Sequence, residues 1–176
     1  MTHSDPPEEV MWEGRFVSAR RRGRWEYVSR VRGIGAAVIL AIDDGHLLLV
    51  EQYRVPLGRY CIELPAGLVG DEAGNEDEPV TMAAIRELEE ETGYRAGSMV
   101  TIGEFHSSPG LVTESYTLLR AGDLARVGPG GGTASEDITV HRVALAELAA
   151  FIDAARARGC AIDGKLLAIL GPTICY

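Results

Sequence analysis

The sequence predicts an α+β fold built on a mixed β-sheet, and three observations carry that reading. Short β-rich apolar segments outnumber helical ones. They do not alternate with helices in the βαβ order that a fully parallel sheet requires. One well-capped amphipathic helix interrupts them in mid-chain. A length of 176 residues suits one domain, and 46% apolar with 24% charged residues suffices to bury a core.

The elements follow in order. Residues 1–10, MTHSDPPEEV, are polar and read as a flexible tail without the apolar stretch of a secretory signal. Phe16–Ser18 and Trp25–Arg30 read as strands around a turn at Arg22-Gly23, so residues 11–32 form an N-terminal β-arm. Ala36–Ile42 and His46–Glu51 are apolar runs split by Asp43-Asp44-Gly45, a hairpin signal. Cys61–Leu64 is a further strand, stopped by Pro65-Ala66-Gly67, and residues 68–78 form an acidic loop. Pro79 opens a helix that runs to Thr92, with Gly93 beyond its end. Val100–Glu104, Ser115–Leu119 and Ile138–Val143 are strands, and Gly128–Gly132 is a flexible loop. Ala144–Arg158 and Asp163–Leu170 read as two closing helices separated by Gly159.

Charge narrows the function. There are 17 basic and 26 acidic residues, giving a net charge of −9, without the basic footprint of a nucleic-acid or membrane-surface binder. The longest apolar run, Ala36–Ile42, is too short to span a bilayer. Cys61, Cys160 and Cys175 fit neither a zinc spacing nor a disulfide framework and read as reduced cytoplasmic thiols. The four histidines show no ligand spacing, Gly33-Ile34-Gly35 lacks the third glycine of a dinucleotide loop, and Arg20-Arg21-Arg22 reads as a solvated hairpin turn.

The chemistry concentrates in Arg86-Glu87-Leu88-Glu89-Glu90-Glu91-Thr92-Gly93-Tyr94. On a helix, Glu87, Glu90 and Glu91 share one face. Two such charges about 4 Å apart repel by roughly 4 kcal/mol at an effective dielectric near 20. A cation would relieve that repulsion, and hard carboxylate oxygens suit Mg²⁺ or Mn²⁺. Arg86, one turn before Glu90, is placed to pair with it, and Val80, Ala84 and Leu88 form an apolar stripe to anchor the helix.

This segment resembles the Nudix hydrolase signature, Gly-x5-Glu-x7-Arg-Glu-apolar-x-Glu-Glu-x-Gly-apolar. Arg86, Glu87, Leu88, Glu90, Glu91, Gly93 and Tyr94 fall in register, and Glu78 stands eight residues before Arg86. Gly67 matches the leading glycine, but ten residues separate it from Glu78 where the signature has five, which reads as a loop insertion. The resemblance implies an α/β/α sandwich around a mixed sheet, with residues 33–176 as the hydrolase domain.

Other segments are similar to the ADP-ribose pyrophosphatase subgroup: His106–Glu114 with its Ser-Pro-Gly, Glu51-Gln52-Tyr53-Arg54, Glu63–Gly67, and Glu136–His141. That similarity implies Mg²⁺-dependent hydrolysis of ADP-ribose, or a related nucleoside diphosphate sugar, to AMP and ribose 5-phosphate. Alternatives are GDP-mannose, NADH, coenzyme A or a dinucleoside polyphosphate as substrate, or a nucleotide-sensing module without catalysis. The expected metal site comprises Glu87, Glu90, Glu91 and the Ala66 carbonyl. The expected substrate-binding residues are Trp25, Arg54, Glu63, Pro109 and Glu114. Trp25 reads either as an adenine-stacking aromatic, with Trp12 a second candidate, or as strand packing; Arg54 as a pyrophosphate ligand or a surface arginine. Glu136 is the expected general base, with Asp137 or Glu114 as alternatives and a purely loop-capping role for Glu136 also open. The resemblance further implies a homodimer in which residues 11–30 reach the partner.

Overall fold

The arginine-rich segment folds as a sheet of its own. The computed structural model describes residues 6–70, 77–133 and 136–166. Strands β1 (Glu8–Glu13), β2 (Val17–Arg22) and β3 (Trp25–Arg30) pair antiparallel in that order. The tail expected through residue 10 is therefore strand from Glu8 onward. The cause is charge pairing across β1 and β2: Arg20 and Arg22 bond Glu8, and Arg21 bonds Glu9 at 2.7 Å. Arg20-Arg21-Arg22 thus lies in β2 rather than forming a solvated turn, although such exposed pairs contribute only about 0–1 kcal/mol each. Backbone bonds from Val28 N–H to the Leu111 carbonyl and from Thr113 N–H to the Val28 carbonyl tie this sheet to the loop carrying Pro109.

Asp44 and Gly45 both take positive φ, 45° and 71°, as a two-residue type I′ turn demands. They fold strand β4 (Ala36–Asp43) back onto β5 (His46–Arg54). The two strands pair beside the turn, Ile42 with Leu47 and Asp43 with His46, and then diverge. Beyond that point β4 takes β7 (Ala66–Leu68) on one side and, in parallel, β9 (Ser115–Arg126) on the other. Strand β8 (Tyr94–His106) covers β9. On the other half, β5 pairs antiparallel with both β6 (Arg59–Glu63) and β10 (Ile138–Ala144). The two-residue strand β11 (Ala161–Ile162) runs parallel to β6. Parallel and antiparallel pairs coexist, as the sequence predicts. The split sheet leaves an open mouth at the ends of β4 and β5 away from their turn.

Among the described residues two helices cover the sheet, and strand alternation assigns the faces. Ala37, Ile39, Ala41, Leu48 and Leu119 pack with Ala84 and Leu88 of α1 (Val80–Thr92). Val38, Leu47, Leu49, Ile62 and Leu118 pack with Leu148, Ile152 and Ala155 of α2 (Leu148–Ala157). Burial on both faces is why β4 and β5 read as continuous apolar runs. Each fully buried Leu or Ile contributes roughly 1.5–3 kcal/mol. The first closing helix is shorter than the expected 144–158, because Ala144 ends β10 and a 3₁₀ turn, Leu145–Glu147, precedes α2. Of the second, a 3₁₀ turn at Gly164–Leu166 is described; its continuation to Leu170, Cys175 and the inserted residues 71–76 lie outside the described residues.

Helix α1 starts after Pro79 and ends at Gly93, whose φ of 74° is the left-handed conformation that closes a helix. The loop Gly128–Gly132 does not swing free there. Its Gly131 and Gly132 amides donate to the carbonyls of Glu91 and Glu90 at 2.8 and 3.1 Å, satisfying helix-end acceptors that would otherwise lack partners.

Candidate active site

The turn Leu64-Pro65-Ala66-Gly67 enters the sheet beside α1 and meets that helix at two points. The Ala66 amide donates to Glu91 Oε2 at 3.0 Å. At Gly67 a methyl group would stand only 2.0 Å from Glu87 Cδ, so the carboxylate of Glu87 lies where other residues carry Cβ. Arg86 bonds Glu87 at 2.8 Å and Glu78 at 3.3 Å. These two carboxylates, rather than that of Glu90, hold the guanidinium among the described residues, which corrects the expected pair. Glu90 itself, one turn along the helix, does not line the cavity that Glu87 and Glu91 share.

That cavity, about 470 Å³, opens at the mouth of the split sheet. Among the expected residues it gathers Arg54, Glu63, Ala66, Glu87, Glu91, Glu114 and Glu136. Arg54 forms a two-pronged pair with Glu63 at 2.6 and 2.9 Å, and that hydrogen bonding holds its guanidinium above the ordinary range. Glu114 accepts from Arg30 at 2.5 and 3.0 Å and from Ser107 at 3.0 Å. Glu136 Oε2 accepts from the Thr133 amide and hydroxyl at 3.0 and 3.1 Å, so this carboxylate both caps its loop and faces the cavity. Asp137 accepts from the Tyr60 hydroxyl at 3.3 Å and does not line the cavity. Trp25 and Pro109 line a separate cavity of about 590 Å³ with Arg24, Tyr27 and Gly110. Trp25 is 58% exposed, so it is not strand packing; Trp12, 59% exposed, does not line that cavity.

Sequence reasoning missed Arg30, Gln52 and Lys165, which also line the active-site cavity. Arg30 sits 84 positions from its partner Glu114, a separation no local pattern reveals. For Lys165 a signal did exist: it is the only lysine in the chain.

Glu91 is 5% exposed, and burial pushes its carboxyl up to about 8. The Ala66 hydrogen bond pulls the other way, while the charges of Glu87 and Glu136 add to the rise. The site is short of positive charge, and its donors are hard oxygens, a set that fits a divalent cation. Among the described residues no three Asp, Glu, His or Cys side chains already stand at ligand spacing, so the carboxylates would draw together around an ion. Cys61 is buried, as expected of a packing thiol, and burial pushes it up to about 12.

The NUDIX domain family model matches residues 31–159. The chain belongs to the Nudix family. Nudix hydrolases generally use divalent metal ions. The chain is 42% identical over 96 residues to an ADP-ribose pyrophosphatase of Bacillus subtilis, covering 54% of this chain and 49% of that protein. It is 34% identical over 149 residues to a GDP-mannose pyrophosphatase of Citrobacter koseri, covering 79% and 72%. A crystal structure of an ADP compounds hydrolase superposes with a TM-score of 0.66 at 25% identity, covering 85% of this chain and 82% of that one. The matched stretch spans about half the length of several curated relatives. Among the described residues no helix of this Nudix chain is long and apolar enough to cross a membrane.

Proposed function

We propose that this chain is a Nudix pyrophosphohydrolase that splits ADP-ribose, or a closely related nucleoside diphosphate sugar, into AMP and ribose 5-phosphate with Mg²⁺. The carrying observation is one cavity in which Glu87 and Glu91 stand with Arg54, Arg30 and Glu136. Similarity to an ADP-ribose pyrophosphatase supports the choice of substrate.

Glu87 and Glu91, with the Ala66 carbonyl completing the set, would hold the metal, and Glu90, which does not line the cavity, would have to turn in to assist; Mn²⁺ suits the same oxygens. The ion supplies charge neutralisation for the pyrophosphate. Arg54, released in part from Glu63, binds phosphoryl oxygens through its planar fork, and Glu63 fixes that fork in the cavity. Glu136 takes a proton from the attacking water through whichever oxygen Thr133 leaves available. One water is consumed, a P–O bond of the diphosphate breaks, and the proton leaves through Glu136. Trp25 and Pro109 line their separate cavity and would stack the adenine of a site shared with a second copy, an interaction worth about 1–3 kcal/mol per base, and Glu114 holds Arg30 beside the diphosphate.

A homodimer completes this reading. The β1–β3 sheet exposes Val10, Met11, Trp12 and Trp25, and the connection before β2 exposes Phe16, an apolar surface that a second copy would cover. The free thiols of Cys61 and Cys160 are in keeping with a cytoplasmic setting.

A panel of ADP-ribose, GDP-mannose, NADH, coenzyme A and diadenosine polyphosphates, assayed with Mg²⁺, tests the assignment. ADP-ribose should give the highest kcat/KM with AMP as product. Preferred turnover of GDP-mannose would move the chain to the alternative substrate, and nucleotide binding without turnover would make it a sensor.

A further inference from the structure

The chain's only lysine lines the active-site cavity. Its position is fixed by the backbone. Asp163 donates its amide to the Ile62 carbonyl of β6 at 3.0 Å, Leu166 donates to the Asp163 carbonyl at 3.1 Å, and Leu166 is fully buried. Lys165 is thus carried on a turn stapled to the β5–β6 half of the split sheet. Its Nζ nevertheless lies 5.8 Å from the ring centroid of Tyr116, on β9 in the other half. The side chain therefore bridges the mouth between the two halves.

Resting on the hydrolase reading above, we propose that Lys165 is a substrate-binding residue, whose ammonium receives the negative charge of the diphosphate. Five glutamates line the cavity, Glu63, Glu87, Glu91, Glu114 and Glu136, so an entering diphosphate must be met by cations. The two arginines of the lining are each held by a two-nitrogen pair, Arg30 on Glu114 and Arg54 on Glu63, which leaves them fewer donors for the diphosphate. Lys165 is paired with Asp163. An ammonium carries three donors that rotate about its stem, so one carboxylate partner leaves others for phosphoryl oxygens. The turn does not require that ion pair, because Asp163 Oδ1 already accepts the Lys165 backbone amide at 2.9 Å. Side-chain exposures of 25% for Lys165 and 13% for Asp163 keep the pair partly shielded from water, where a charge acts more strongly on a ligand. The Tyr116 ring supports the ammonium from below.

The test compares wild type, Lys165→Met and Lys165→Arg by equilibrium binding of ADP-ribose in EDTA and by turnover with Mg²⁺. Lys165→Met should weaken binding and raise KM at least roughly tenfold, about 1.4 kcal/mol, with kcat within a few-fold. Lys165→Arg should recover most of the loss, which a folding defect would not allow. A Lys165→Met chain that binds ADP-ribose as tightly as wild type, or a wild type that binds none, overturns the inference. Wild type that binds ADP-ribose and loses affinity in Lys165→Met, yet never hydrolyses it, sinks the hydrolase reading and leaves the role of Lys165 standing.

Discussion

Gly67 lies so close to Glu87 that a Cβ at position 67 would stand 2.0 Å from Glu87 Cδ and 2.3 Å from Oε1. The backbone of the Pro-Ala-Gly turn and the helix carboxylate occupy one tight layer. Glycine is required there for space, and Gly67→Ala must push Glu87 out of the cavity. Its kcat/KM should fall by at least roughly a hundredfold, about 2.7 kcal/mol, while the melting temperature changes little. Unchanged kinetics would show that the position of Glu87 is irrelevant to turnover.

Gly93 presents a different requirement. Its φ is 74°, and a Cβ at this residue would stand 2.3 Å from the Gly128 carbonyl oxygen, so conformation and space both oppose a side chain. Gly93→Ala should cost about 3 kcal/mol, combining left-handed strain with displacement of backbone. Urea denaturation reads it directly, and a loss under roughly 0.5 kcal/mol would contradict the packing described.

Glu136→Gln tests the base. Removing a general base should lower kcat by at least about a hundredfold with ADP-ribose binding largely kept. A kcat within a few-fold of wild type would leave Glu136 as a loop cap and transfer the role to Glu114 or Asp137.

Cys61 gives a prediction from its environment. Burial raises its thiol to about 12, so at pH 8 almost none is thiolate, and only thiolate attacks an alkylating reagent. In native protein iodoacetamide at pH 8 should spare Cys61, and unfolding in urea should expose it. Rapid native labelling at Cys61, read by peptide mass spectrometry, would contradict its burial.

The helix and its chemistry were legible because they are local. The eight-residue step from Glu78 to Arg86 has a physical meaning in the ion pair between them, and Gly93 ends the helix where its residue type says it should. The β4–β5 hairpin also followed from two apolar runs split by Asp43-Asp44-Gly45. What stayed hidden depends on contacts distant in sequence. Glu8 and Glu9 read as tail until Arg20, Arg21 and Arg22 pair with them. The segment Gly128–Gly132 read as a flexible loop because nothing local shows that the carbonyls of Glu91 and Glu90 hold Gly131 and Gly132. Among the described residues Arg86 pairs with Glu87 and Glu78, and Glu87 lies against the Gly67 turn, a tertiary contact that helical spacing cannot express.

Glu91, buried beside Glu87, is expected to help hold the divalent cation that hydrolysis requires. Turnover of ADP-ribose by Glu91→Gln at saturating Mg²⁺ tests it most directly. Replacing one carboxylate oxygen by an amide keeps the shape but removes the charge, so kcat should fall by at least roughly a thousandfold, about 4 kcal/mol. Turnover near the wild-type rate under those conditions would show that Glu91 does not hold the ion.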